Sequence, residues 1–315
     1  MILTVIARRI VFAIPSLLGV ATLIFILGHL TPGDPAVAAL GLDSESFTYV
    51  TEEDLIRVRE ELGLNQPLIQ QYVGWIWRAV QGDFGRSYVQ SADIAEMILK
   101  ALPTTLMLIS FTMVVAIVTG MAIGILSAVY RGRAGDIIAR MIAIIGVSTP
   151  TFWFALILIW TLAYQVPIFP MNGPVSDHGL IAMVLPTLAI ALHPAALIAR
   201  MMRSSMLDVL SQDMIRTATA KGLTRRRVFL GHALRNALNP VITVVGFQLA
   251  NLIGGAVAIE FIFSLPGLGS LLIDSIVEKD ILVLQATVLV IGVAFILSNL
   301  VVDLLYLIVD PRVRA

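Results

Sequence analysis

The chain has 315 residues, and its 21 Lys and Arg are balanced by 21 Asp and Glu, so the formal net charge is zero. Hydrophobic residues make up 58% and charged residues 13%, against about 25% charged residues in a soluble domain, which excludes an ordinary soluble protein. The absence of cysteine excludes disulfides, thiolate metal sites and cysteine nucleophiles. The basic residues border apolar runs and are not interleaved with stacking aromatics, so nothing points to nucleic acid.

Six uncharged runs are long enough to cross a bilayer, which takes about 20 residues. They are Ile10–Leu30, Ala101–Tyr130, Met141–Phe169, Gly179–Ala199, Ala237–Ile259 and Ile281–Val302. The first follows Arg8 and Arg9, but it is too long for a signal-peptide core and is not followed by a small-x-small cleavage site leading into a soluble domain. It is expected to be a retained transmembrane helix.

Between the first two runs, Thr31-Pro32-Gly33-Asp34-Pro35 is a turn cluster that stops the first helix. Thr51 is placed to N-cap a helix whose first turn holds Glu52, Glu53 and Asp54, and Leu55, Val58 and Leu62 form its apolar stripe. A second amphipathic helix is predicted from Pro67, presenting Leu68, Tyr72, Trp75, Ile76 and Ala79. With Trp75 and Trp77 it suits the membrane interface. Gly82-Asp83-Phe84-Gly85-Arg86-Ser87 reads as another turn.

Lys and Arg divide unevenly between the two sides that six spans create. With a cytoplasmic N-terminus, fifteen of the 21 lie inside and six outside, so the positive-inside bias puts both termini in the cytoplasm. The expected organisation is a transmembrane helix over 1–30, an extracytoplasmic amphipathic-helical segment over 31–100, a five-helix core over 101–309 and a cytoplasmic tail over 310–315. The core carries a charged cytoplasmic loop, Arg203–Pro240.

That loop is the most informative stretch. Leu207, Leu210, Met214 and Ala218 recur at helical spacing. Gly222 suits the left-handed position after a helix. Thr224 is placed to N-cap a second short helix carrying Arg225, Arg226, Arg227, Val228, Phe229 and Leu234. Two helices meeting at a glycine make a knob for a soluble partner; a solvated basic face beside lipid phosphates is the plainer reading.

Candidates for chemistry are few. His29, His178, His193 and His232 are scattered, and none has an acidic or histidine partner at ligand spacing, so no metal and no cofactor is expected. His193 precedes Pro194 inside the fourth run. It is expected to be neutral and bonded to a carbonyl freed by the proline, the other reading being a contact in the pathway. Glu260 and Asp303 fall near span ends, where packing between helices or an interfacial place is expected. The sequence has no G-x-x-x-x-G-K-[ST], G-x-S-x-G or H-E-x-x-H, so neither ATP hydrolysis through a P-loop nor those hydrolase chemistries belong to this chain.

The loop string R-T-A-x-A-K-G-L at Arg216–Leu223, followed by H-A-L-R-N-A-L-x-P at His232–Pro240, resembles the cytoplasmic loop of ABC importer permeases of the dipeptide and oligopeptide branch. The wider family has Glu-Ala-Ala where this chain has Arg216, Thr217 and Ala218. P-G-D-P at Pro32–Pro35, L-G-L-N-Q-P-L at Leu62–Leu68, G-D-F-G-R-S at Gly82–Ser87 and L-P-T-T-L at Leu102–Leu106 are similar to that branch too. So are S-T-P-T-F-W at Ser148–Trp153, F-S-L-P-G-L-G at Phe263–Gly269 and D-P-R at Asp310–Arg312, and the likeness covers nearly the whole chain.

The resemblance implies an all-α polytopic membrane protein of the type I importer permease fold, in a bacterial or archaeal plasma membrane among its lipids. It implies a non-enzymatic subunit that forms half of a pathway for peptides or related small solutes: dipeptides, oligopeptides, glutathione, nickel complexes or sugars. Its partners would be a second homologous permease, two ATP-binding subunits or domains, and an extracytoplasmic substrate-binding protein. Arg216, Thr217, Ala218, Ala220, Lys221, Gly222, Leu223, Thr224 and His232 would couple to the ATPase. Asp34, Asp83, Pro266 and Gly267 would meet the binding protein. The rival classes are a self-sufficient secondary carrier or channel, which the missing midplane charges and missing inverted repeat disfavour, and a membrane-embedded enzyme.

Overall fold

The computed structural model describes residues 2–30, 36, 52–61, 63, 65–87 and 89–309. The Pro32–Pro35 turn with Asp34, the Thr51 cap, Leu62 and the tail 310–315 lie outside them, as do the side chains of Leu55 and Val58. Helix dominates: α1 Ile2–Leu30, α2 Glu52–Glu61, α3 Leu68–Val80, α4 Ile94–Val129, α5 Ala134–Ser148, α6 Thr151–Leu158 and α7 Val175–His178. These are followed by α8 Val184–Leu210, α9 Asp213–Ala220, α10 Arg225–Arg227, α11 Arg235–Ile262, α12 Leu268–Val277 and α13 Ile281–Val309. Two short strands, β1 Arg86–Ser87 and β2 Ala92–Asp93, pair antiparallel between α3 and α4.

Among the described residues, five helical spans are long and apolar enough to cross a membrane, and a sixth is made if α5 and α6 count as one. That pair bends by 107°, and Met141–Phe169, an uncharged run longer than one span requires, includes the break. The cause is Pro150, which forces the preceding residue out of the helical region; Thr149 has ψ 124. Beyond α6 the helix loosens into a π turn over Ile159–Gln165. The other spans outrun their apolar cores. α4 begins well before Ala101, α8 continues past Arg200 to Leu210, and α10 runs through a π segment, Val228–Leu234, into α11. Uncharged length marks the part in hydrocarbon, whereas backbone hydrogen bonding carries the helix on into water.

Among the described residues, those within 106–263 and 297–309 form the bulk of one compact unit, and those within 3–105 and 264–296 form the other. In the first, α8 is the central element, packed by α5, α6 and α11. Its buried face, with Ala191, Ile198, Met202, Met206 and Val209, meets Ala116, Ala128, Ala237 and Val241. Gly120 and Gly124 let α4 approach α8 at backbone distance, since a Cβ at either would fall 2.7 and 2.6 Å from the carbonyls of Ala195 and Ala199. Small residues one turn apart are the usual means of close helix packing in lipid. Outward, Val114, Val118, Leu126, Ile142 and Trp160 are exposed, as a bilayer-facing surface requires.

In the second unit α3 lies on α1. Thr22 and Tyr72 share a hydroxyl hydrogen bond of 2.8 Å, and the rings of Phe25 and Tyr72 meet edge-on at 5.3 Å. His29 reaches Gln71 through Nε2 at 3.2 Å and the Phe25 carbonyl through Nδ1 at 2.9 Å. The predicted stripe of α3 is recovered at Tyr72, Trp75, Ile76 and Ala79, all partly buried, while Leu68 is exposed.

Candidate functional site

The charged loop is mostly helix. A single amphipathic helix was expected through Leu207, Leu210, Met214 and Ala218; instead α8 ends at Leu210 and α9 restarts at Asp213. Gln212 takes the extended N-cap conformation, and its carbonyl accepts from the Ile215 N–H at 3.0 Å. The two-residue break turns the chain, so that of the expected stripe Ala218 is buried while Met214 is exposed and Ile215 takes its place in the core.

The end of α9 is closed as the sequence suggests. Gly222 has φ +77. Its N–H donates to the Thr219 carbonyl at 3.0 Å, and the Leu223 N–H donates to the Ala218 carbonyl at 3.4 Å. These two bonds form a Schellman turn, and Leu223 packs in the same apolar cluster as Ala218. Thr224 occupies the N-cap of α10 but makes no side-chain cap bond. The second helix is not short: α10 continues through the π segment into α11.

Burial sorts the expected coupling residues into two sets. Ala218 is buried and Leu223 partly so, against Met206, Val209, Val228 and Ala233; they hold α9 on its own unit. Arg216, Thr217, Ala220, Lys221, Gly222 and Thr224 are exposed and form the outward ridge. Arg216 reaches Asp213 at 3.3 Å with both side chains in solvent, an interaction worth little. Arg225, Arg226 and Arg227 are exposed beside them. His232 lies half-buried in the π segment, and its carbonyl accepts from Asn236 at 2.7 Å. Ser205 donates to the Ala237 carbonyl at 2.8 Å, fastening α8 to α11 directly above the loop.

In the other unit, Asp83 is exposed, and its Oδ1 accepts from the Gly85 N–H at 3.0 Å, closing the expected turn, with Gly82 and Gly85 at φ +80 and +79. The hairpin that follows is clasped from below: the buried Ser87 hydroxyl donates to the buried Asp280, and Gln90 donates to Glu278 at 2.7 Å. Asp280 also accepts from the Val283 N–H at 3.1 Å, capping α13. Pro266 is exposed, but Gly267 is buried and serves to start α12, whose Leu268 N–H donates to Thr105 at 2.9 Å. Burial, and then the neighbouring charge of Glu278, push the Asp274 carboxyl above its usual range.

A cleft of about 240 Å³ lies among Val115, Thr119, Ala143, Phe154, Leu192 and Ala196. Its one hydroxyl, on Thr119, is already bonded to the Val115 carbonyl at 2.6 Å, so it offers an apolar lining and no polar recognition. His193 is half-buried and has no hydrogen-bond partner among the described residues, so the expected bond to a freed carbonyl is not made. Glu260 is fully buried in α11. No group of acids and histidines suited to a metal occurs among the described residues.

Residues 120–315 match the model of the binding-protein-dependent transport system inner membrane component, and residues 2–109 match the N-terminal model of the same membrane components. The chain belongs to that family. This permease is 40% identical over 312 residues to the glutathione transport system permease protein GsiC of Escherichia coli strain K12, covering 99% of each chain. It is also 40% identical over 319 residues to a putative peptide transport system permease protein of Brucella melitensis, covering 100% of this chain and 99% of the other. Among solved structures, an amino acid ABC transporter with histidines aligns with a TM-score of 0.51 at 14% identity, over 67% of this chain and 93% of that one. At that identity the likeness speaks for the fold alone, and the fold is the all-α type I permease. The protein is thus a multi-pass inner-membrane permease subunit of an ABC importer and not an enzyme.

Proposed function

We propose that the permease is driven through the exposed ridge of α9 and imports small peptides or glutathione. In this reading Arg216, Thr217, Ala220, Lys221 and Thr224 enter a groove of an ATP-binding subunit, one of two such subunits or domains. The observation that carries it is the division of α9: one face is sealed to its own core through Ile215, Ala218 and Leu223, while the other is a polar, basic ridge fixed by a closed turn. A helix held on one side and bare on the other passes on a push as a rigid body.

A second, homologous permease completes the pathway, and an extracytoplasmic binding protein delivers substrate. Asp83 and Pro266, both exposed, are assigned to that contact together with Asp34, which lies outside the described residues. Both termini are cytoplasmic, as the excess of basic residues on the inner side supports. The substrate class rests on the names of the relatives.

The test is purification of the permease from its native membrane in mild detergent, with mass spectrometry of what accompanies it. Vesicles carrying the recovered assembly are then given labelled glutathione and a labelled dipeptide. The reading expects an ATPase, a second six-span protein and uptake of one probe that requires ATP. Uptake by the chain alone, without ATP, contradicts it and favours a self-sufficient carrier.

A further inference from the structure

One buried cluster lies outside everything assigned so far. Asp136, in the first turn of α5, is 1% exposed. Its Oδ1 accepts from Arg203 Nε at 2.7 Å and from the Ser127 hydroxyl at 2.6 Å. Its Oδ2 accepts from Arg203 Nη2 at 2.9 Å and from the Gly132 N–H at 3.0 Å. Arg140 stands farther off, with Nε 3.6 Å from Oδ1. Gly132 holds φ +76, a conformation glycine adopts at little steric cost, and this turns the α4–α5 connection so that its N–H meets the carboxylate.

The donors come from three places: the end of α4, the turn after it, and α8. A two-pronged arginine–carboxylate pair fixes orientation as well as distance. A buried ion pair is weak evidence for added stability, because desolvation offsets much of the attraction, so its use lies in geometry. Its position is informative. Arg203 stands about two turns before the end of α8, and α9 begins at Asp213, directly after the Ser211–Gln212 break. Gly120 and Gly124 already bring α4 against α8, and Asp136, which accepts from Ser127 of α4 as well as from Arg203, adds the start of α5 to the same contact.

We propose that Asp136 and Arg203 are positioning residues for transport: they latch the α4–α5 turn to α8 so that a displacement of α9 moves α4, α5 and α8 as one body. This rests on the reading of α9 as the ATPase-driven helix. Without the latch, the last turns of α8 yield at the joint and the stroke is lost before it reaches the pathway helices.

The chain has no cysteine, so two spin labels report on the latch in an assembled importer whose other subunits are cysteine-free. They are placed at Arg131→Cys in the exposed turn and at Ser211→Cys after α8. The separation is expected to be single and equal in the nucleotide-free and the ATP–vanadate-trapped importer. In D136N it is expected to broaden and to differ between the two states, with ATP hydrolysed per molecule imported rising about tenfold. R203K keeps the charge but loses the fork, and should fall between the two.

An unchanged, narrow separation in D136N overturns the latch. So does loss of the assembled importer in both D136N and R203K, which would make the pair a folding device only. A fluorophore at Thr217→Cys separates this from the underlying reading. If it responds to ATP while D136N behaves like the parent, the latch alone is wrong; if it does not respond, the coupling role of α9 fails first.

Discussion

Gly124 faces the backbone of α8 so closely that a Cβ there would stand 2.6 Å from the carbonyl oxygen of Ala199 and 2.7 Å from the Cβ of Met202. No rotamer relieves a clash with a carbonyl. Gly124→Ala should therefore push the helices apart, at a cost of about 1–3 kcal/mol, as overpacking does. Gly19 and Gly74 have open space around them, and the same change there should leave stability almost untouched. Thermal unfolding of the purified permease in detergent separates the cases; equal midpoints for G124A and G74A would show that α4 and α8 are not held at this contact.

At Gly222 the surroundings are open and the constraint is the backbone. Nothing lies within 4 Å of an added Cβ, yet φ is +77, and a left-handed conformation costs a branched residue about 1–2 kcal/mol. Gly222→Val should open the Schellman turn and free the end of α9, while Gly222→Asn, which tolerates this region, should be mild. The expected phenotype of G222V is ATP hydrolysis that continues with uptake falling at least several-fold, and unchanged helicity by circular dichroism. Full uptake in G222V would mean that the closed end of α9 is not needed for coupling.

Asp280 joins two elements by accepting from Ser87 and from the Val283 N–H. Its removal leaves the cap of α13 unmade, a loss of about 0.5–2 kcal/mol, and leaves the buried Ser87 hydroxyl without its acceptor, at about 1–3 kcal/mol more. D280A should therefore destabilise more than S87A. A double-mutant cycle should return a coupling near the value of one charge-assisted hydrogen bond, about 1.5–3 kcal/mol. A coupling near zero would separate the hairpin from α13 energetically.

Much of this was legible in the residues. Uncharged length located the spans, the Gly222 punctuation located the end of α9, and the stripe of Tyr72, Trp75, Ile76 and Ala79 located the face of α3 that packs. What stayed hidden depends on local breaks and distant pairing. The apolar period runs unbroken from Leu207 to Ala218, so it conceals the turn at Ser211–Gln212, where neither Gly nor Pro marks it. Thr149-Pro150 carries the signal for the 107° bend, but the excess length of the apolar run does not by itself say where within it the chain turns. Asp136 and Arg203 are separated by 67 positions, and no periodicity within either helix refers to the other. Burial of Gly267 likewise depends on neighbours that the sequence does not place beside it.

The most direct test of α9 as the coupling element is a photoreactive cross-linker attached at Thr217→Cys, the only cysteine this chain would then contain, with the products identified by mass spectrometry in native membranes. An adduct to an ATP-binding subunit is expected, and it should be lost when the same probe is placed on the exposed face of α3, at Gln70→Cys. Adducts confined to lipid or to the permease itself would contradict it.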